Sequence, residues 1–191
     1  MAEILSHDSY TVMPWKNGRG TTSQIAIDSA EAQFPHHFKW RVSSAVVVSN
    51  DPFSNFDDCR RALVVVEGNG LLLNDVELKP LVPYFFSGSE YIDCKLVAGP
   101  VVDVGIIFRA HEVHVDMKII RANIIEIEEC DGLQFLYLVK GEGTFLGEAL
   151  KKGDTLKIES SEKAQIKGQS LVGVLISITG SISRHSKNKN F

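Results

Sequence analysis

Apolar positions along the chain gather in short runs and not in helical stripes. Trp40 to Ser49 is rich in Val and closes on the turn formers Asn50-Asp51-Pro52. Ala62 to Val66 ends at Glu67-Gly68-Asn69-Gly70, and Leu71-Leu72-Leu73 follows before Asn74-Asp75. The same design returns at Val101 to Phe108, Ile119 to Ile127, Phe135 to Val139 and Leu171 to Ile178. Short β-branched runs bounded by Gly, Asn, Asp and Pro are what a half-buried sheet needs. No window longer than about 12 residues carries a helical stripe, and Ser29 to Gln33 reads at most as a single turn. The pattern predicts an all-β protein of many short antiparallel strands.

One part of the chain matches another. Leu63-Val64-Val65-Val66-Glu67-Gly68-Asn69-Gly70 corresponds to Leu136-Tyr137-Leu138-Val139-Lys140-Gly141-Glu142-Gly143. Each copy is followed by a tight turn and an apolar run, Pro80 to Phe86 in the first and Gly153 to Ile158 in the second. In such a hairpin Gly permits positive φ at the turn while the flanking strands bury one face. Two in register favour an internal duplication, and units of this size suit two jelly-roll β-barrels, which hide their sheet edges. The expected division is an N-terminal barrel over residues 1–115, a C-terminal barrel over 116–183 and a flexible basic tail over 184–191, with the seam at Val113 to Asp116.

Composition narrows the function classes. With 191 residues, 44% apolar and 23% charged, the chain has the balance of a globular protein that needs no staples for its core. No apolar run reaches the roughly 18 residues that would span a bilayer. A net charge of -4 and a pI near 5.9 leave no global basic footprint for nucleic acid. The basic cluster Arg184 to Lys189 reads as a solvated terminus. Cys59, Cys94 and Cys130 are odd in number and widely spaced, which favours reduced thiols and a cytoplasmic setting. Met1 to Asp8 lacks the basic and apolar regions of a secretory signal. Trp15, Trp40, Phe53, Phe56, Phe85 and Phe86 read as core or barrel mouth, and Lys151-Lys152 as a solvated hairpin.

The second hairpin, with Gly153-Asp154-Thr155-Leu156, resembles the G-x-G then G-D-x-x pattern of the cupin superfamily. Cupin enzymes commonly hold a metal with an H-x-H pair, which sets two imidazoles on one face of a strand. The chain has no H-x-H; His36-His37 and His111/His114 would point to opposite faces of a strand, so they are read as loop histidines and no metal or other cofactor is expected. The N-terminal half is more specific. Met13-Pro14-Trp15-Lys16-Asn17-Gly18-Arg19-Gly20-Thr21-Thr22-Ser23-Gln24-Ile25-Ala26 resembles the W-K-N-G-G-G-x-T-x-E-I-A opening of the HutD/Ves family. Trp40-Arg41-Val42-Ser43, Pro52-Phe53-Ser54-Asn55-Phe56, Arg61, Glu67 to Gly70, Leu81-x-Pro83-x-x-Phe86 and Gly99-Pro100-x-x-Asp103 follow in family order. The resemblance implies a metal-free bicupin linked to histidine utilisation, which binds a pathway intermediate such as urocanate or formiminoglutamate. Three positions depart from the family pattern: Arg19 stands for a usual Gly, Gln24 for a usual Glu, and Gly105 for a common Asn.

Strand alternation points to the same place. It sets Arg41 and Ser43 on one face, Arg61 and Glu67 with Leu63 and Val65 on another, and Asp103 with Gly105, Ile107 and Arg109 on a third. Charged groups inside a barrel either neutralise one another or bind a ligand, because an unsatisfied buried group costs about 1–3 kcal/mol. Arginine suits a carboxylate, since its planar fork donates two parallel hydrogen bonds. Lys16, Asn17, Arg41, Ser43, Arg61, Glu67, Phe86 and Asp103 are therefore the candidate binding residues for a small carboxylate metabolite. The alternative is a structural network, such as Arg61 with Glu67 or Asp103 with Arg109. An enzymatic reading would make the protein an isomerase or hydrolase of a small amidated or imidazole acid, with Glu67 or Asp103 as acid/base and Arg61 as charge stabiliser. A protein-interaction module would instead show a large apolar surface, and a homodimer could form through an unpaired strand edge.

Overall fold

A computed structural model describes residues 1–15 and 19–180. Lys16, Asn17 and the tail over 184–191 lie outside the described residues. Sixteen strands occur among those described, joined by turns and one short 3-10 turn at His7–Ser9. The first ten are β1 (Ala2–Leu5), β2 (Thr11–Pro14), β3 (Gly20–Ile27), β4 (Trp40–Val47), β5 (Arg60–Glu67), β6 (Leu71–Leu73), β7 (Val76–Leu78), β8 (Tyr84–Ser87), β9 (Cys94–Leu96) and β10 (Val101–Phe108). They are followed by β11 (Val113–Ile127), β12 (Gly132–Lys140), β13 (Gly143–Phe145), β14 (Glu148–Leu150), β15 (Thr155–Ile158) and β16 (Ala164–Gly180). The segment read as a turn near Ser29 to Gln33 is indeed non-helical, and a Gln33–His37 bridge closes the loop after it.

The architecture is all-β and barrel-like. A six-stranded sheet, ordered β2-β3-β4-β10-β5-β8, faces a small β7-β6-β9 sheet. Between them Leu63, Val65, Leu71, Leu73, Phe86 and Val101 form one core. In the second half the long strands β11 and β16 pair along nearly their whole length and break register at Ala122/Ile124. Their interior is filled by Leu136, Leu138, Leu150, Leu156, Ile158 and Ile166, all fully buried.

The halves are not separate bodies. Alternation in β4, β5 and β10 turns Trp40, Val42, Val64, Val104, Ile106 and Phe108 away from the first barrel and onto the second. There they meet Phe135, Tyr137, Val174 and Ile176; the Trp40 and Phe135 rings pack 5.5 Å apart. The N-terminal strand also crosses over. Although expected within the N-terminal barrel, β1 pairs with β15, Ala2 opposite Ile158 and Leu5 opposite Thr155. Asp154 fixes this crossing by accepting the backbone N–H groups of His7 and Lys151, each at 2.9 Å. No helix among the described residues is long and apolar enough to cross a membrane.

The two hairpin segments have the same element order. β5, β6, β7 and β8 are matched by β12, β13, β14 and β15. The turn glycines adopt the same left-handed backbone, Gly68 at φ 95° and Gly141 at φ 89°. At the hairpin tips Asn74 (φ 52°) and Leu146 (φ 50°) also agree.

Candidate functional site

The first barrel is not filled. Its mouth holds a cleft of about 560 Å³ whose floor is the inner face of β4, β10 and β5. Pairing registers explain which side chains reach it. Arg41, Ile107 and Arg61 lie directly opposite one another across the three strands; Ser43, Gly105 and Leu63 form the next row, and Ala45, Asp103 and Val65 the next. Residues opposite one another share a face, so Arg41 and Arg61 flank Ile107 with backbones about 10 Å apart. Gly105 leaves the middle row without a side chain at its centre.

Arg41 is 5% exposed, and burial lowers its pKa. Its Nε donates to Gln24 Oε1 at 2.9 Å, its Nη2 reaches Met13 Sδ at 3.9 Å, and its guanidinium lies 4.3 Å from the centre of the Phe34 ring. Arg61 is held in an aromatic cage, 4.7 Å from Phe53, 5.5 Å from Phe56 and 5.0 Å from Phe86. Its Nη1 donates to the Ser54 carbonyl at 3.2 Å. Desolvation pulls Arg61 down to about 10, opposed by the charge of Asp103. Among the described residues, neither guanidinium has a carboxylate within 4.0 Å. Each is oriented by neutral acceptors and ring faces, and each keeps N–H donors unspent.

Asp103 is the buried acid of the cleft. Desolvation raises it from 3.8 to about 7, against the attraction of Arg61. Its backbone carbonyl accepts from Ser44 Oγ at 2.9 Å. Asp51 stands on the cleft wall, held by Ser49 and 3.8 Å from Arg19. On β9 of the facing sheet, burial, then Asp103, pushes the Cys94 thiol up to about 12.

Most expected site residues therefore converge. Arg41, Ser43, Arg61 and Asp103 line one cleft, and Phe86 supports Arg61 from the adjacent strand β8. Glu67 does not join them. A register shift between Val102 and Asp103 breaks the alternation of β5, and the Gly68 turn carries Glu67 outward. There it is exposed and pairs with Lys152 Nζ at 2.8 Å, so Lys152 is not simply solvated and Glu67 is no partner of Arg61. Arg109 instead donates to the carbonyls of Phe38 and His36, each at 2.9 Å, and not to Asp103. Trp15, read as core, is half-buried at the cleft with its Nε1 donating to Thr22 Oγ1 at 2.9 Å. Gly20 makes this possible: a Cβ there would come within 2.7 Å of the indole.

Gln24, Met13 and Phe34 contact Arg41, and Phe56 contacts Arg61, though the strand pattern assigned none of them to the site. Gln24 carried a signal, since it lies on β3 opposite Ser43; Phe34 sits in a loop and carried none. The donor set does not fit a resident metal. No imidazole lines the cleft among the described residues, and two of its charged groups are cations.

The model of the HutD family matches residues 7–175. The chain belongs to the HutD family. A HutD structure from Pseudomonas fluorescens SBW25 is 26% identical and superposes with a TM-score of 0.81, over 95% of this chain and 100% of that one. Protein PA5104 of Pseudomonas aeruginosa PAO1, of unknown function, superposes with a TM-score of 0.82 at 23% identity, over 94% and 99% of the two chains. An uncharacterised 21.2 kDa Pseudomonas putida protein from the hutC 3′ region is 36% identical over 111 residues. That match spans 56% of the HutD-family chain and 57% of its relative. The relatives link this HutD family to the hut, or histidine-utilisation, locus.

Proposed function

We propose that this HutD-family protein binds a small carboxylate metabolite in the first barrel, with Arg41 and Arg61 as its clamp. One observation carries the reading: two guanidinium groups in one register row, both lowered in pKa by desolvation, face the same cleft, and among the described residues neither has a carboxylate within 4.0 Å. A buried cation without a counter-ion is costly, and an incoming carboxylate supplies the missing charge through charge-assisted hydrogen bonds. The hut connection of the relatives suggests urocanate or formiminoglutamate as first candidates, with modulation of that pathway as the role. The matched element order and turn geometry of the two halves support a bicupin origin by duplication, in which one barrel kept its cavity and the other filled it.

The test is a thermal-shift screen of small acids against wild type and Arg61→Gln. Ligand at about 100 times its dissociation constant adds roughly 2.7 kcal/mol of stability. Wild type should gain stability with at least one carboxylate and the variant should not. A catalytic reading retains one acid, Asp103, because Glu67 faces outward. Product formation on incubation with urocanate or formiminoglutamate would favour it; saturable binding without turnover favours the binding protein.

A further inference from the structure

The acid on the cleft floor is as unaccompanied as the arginines. Asp103 is 8% exposed, and among the described residues its carboxyl makes no hydrogen bond and no ion pair within 4.0 Å. It lines the cleft two rows from the Arg41–Ile107–Arg61 row. Two rows span roughly 13 Å along the strand, a distance shortened by the reach of the arginine side chains. Arg61 is near enough to act on Asp103 electrostatically but does not touch it. The floor thus presents uncompensated donors at one end and an unsatisfied acceptor at the other.

We propose that Asp103 is the specificity-determining residue of the cleft, and that the ligand carries an N–H donor (an amide, amidine, imidazole or amine) at the end remote from its carboxylate. This rests on the carboxylate-binding reading above and adds a second functional group to the ligand. A simple dicarboxylate would set its second negative group against Asp103. Like charges in a desolvated site repel, and a polar group left unpaired there penalises the wrong ligand. An N–H end both pairs with the carboxyl that faces the cleft and avoids the repulsion. The selection is therefore built from one attraction and one penalty at the same atoms.

The charge state of Asp103 sets the strength of that selection. Around it stand Arg61 on β5, Cys94 on β9, Tyr137 on β12 and Asp51 on the cleft wall. Burial raises the pKa of both Cys94 and Tyr137, so they stay neutral near pH 7. Asp103 itself titrates at about 7. Above that value it accepts from an N–H; below it, the protonated carboxyl donates to a carboxylate.

Two isosteric pairs separate the cases: succinate with succinamate, and glutarate with glutaramate. Within each pair a terminal carboxylate is exchanged for a primary amide. Calorimetric titration of wild type and Asp103→Asn at pH 6 and pH 8 reads the ratio of affinities. At pH 8 wild type should favour the amide-bearing acid at least tenfold in one pair or both. That ratio should shrink at pH 6, and Asp103→Asn should reduce it to within about threefold at pH 8. If the variant fails to fold, the pH dependence of the wild-type ratio decides. Equal binding of each pair at pH 8, or a preference that Asp103→Asn leaves intact, overturns the inference while the carboxylate reading stands. Binding of none of the four acids overturns both.

Discussion

At the scale of single residues, Gln24 governs the charge of the cleft. Its Oε1 accepts from Arg41 Nε at 2.9 Å, the place where a glutamate would form an ion pair. The neutral amide orients Arg41 without neutralising it. Gln24→Glu should therefore lower carboxylate affinity at least tenfold, measured by calorimetry, while leaving the fold intact, because a paired arginine has less charge to offer. Asp103 makes a second prediction, on stability. The folded protein holds its proton up to about pH 7, whereas the ordinary value is 3.8. Its contribution is thus intact below about pH 4 and lost as pH rises through about 7. Asp103→Asn should stabilise the ligand-free protein at pH 8 by at most about 4 kcal/mol and change little at pH 4, as read from urea midpoints. Period-two alternation made Arg41, Ser43, Arg61 and Asp103 legible as inward-facing. It failed at Glu67, because a one-residue register shift inverts every face beyond it. Nothing in the local pattern reveals that Phe34, from a loop, lies beneath Arg41.

At the scale of elements, strand positions were readable because β-branched runs and turn residues are local signals. The pairing of β1 with β15 was not, since its partners stand about 150 residues apart and only the tertiary fold brings them together. Asp154 secures that pairing from a tight turn. Its carboxyl takes the N–H groups of His7 and Lys151, and the Tyr10 hydroxyl reaches the Gly153 carbonyl at 2.9 Å and Thr155 Oγ1 at 2.8 Å. Asp154→Ala leaves two backbone donors without their acceptor, one in each half. It should cost about 2–3 kcal/mol in denaturant unfolding and should speed proteolysis at the N-terminus. The G-D sequence that resembles the cupin pattern thus serves here as a clasp between β1 and the second sheet.

At the scale of the whole molecule, three apolar layers alternate with two sheets: the first barrel's interior, the shared core and the second barrel's interior. The matching hairpin segments are visible in the sequence; the shared core is not, because both faces of β4, β5 and β10 are apolar enough to pass for a single buried strand set. Sharing predicts that the halves unfold together. Phe135→Ala, which removes a fully buried ring packed on Trp40, should cost about 3–5 kcal/mol and leave one cooperative transition monitored from both halves. Resolved transitions for the two halves would contradict the shared core. The cleft at the mouth of the first barrel is where Arg41, Arg61 and Asp103 meet.

The most direct test of that cleft is calorimetric titration of the best-stabilising acid among urocanate, formiminoglutamate, succinamate and glutaramate into wild type, Arg41→Gln and Arg61→Gln. The account predicts one bound molecule per chain and an affinity at least tenfold weaker in each variant, with circular dichroism unchanged. Undiminished affinity in both variants would contradict it.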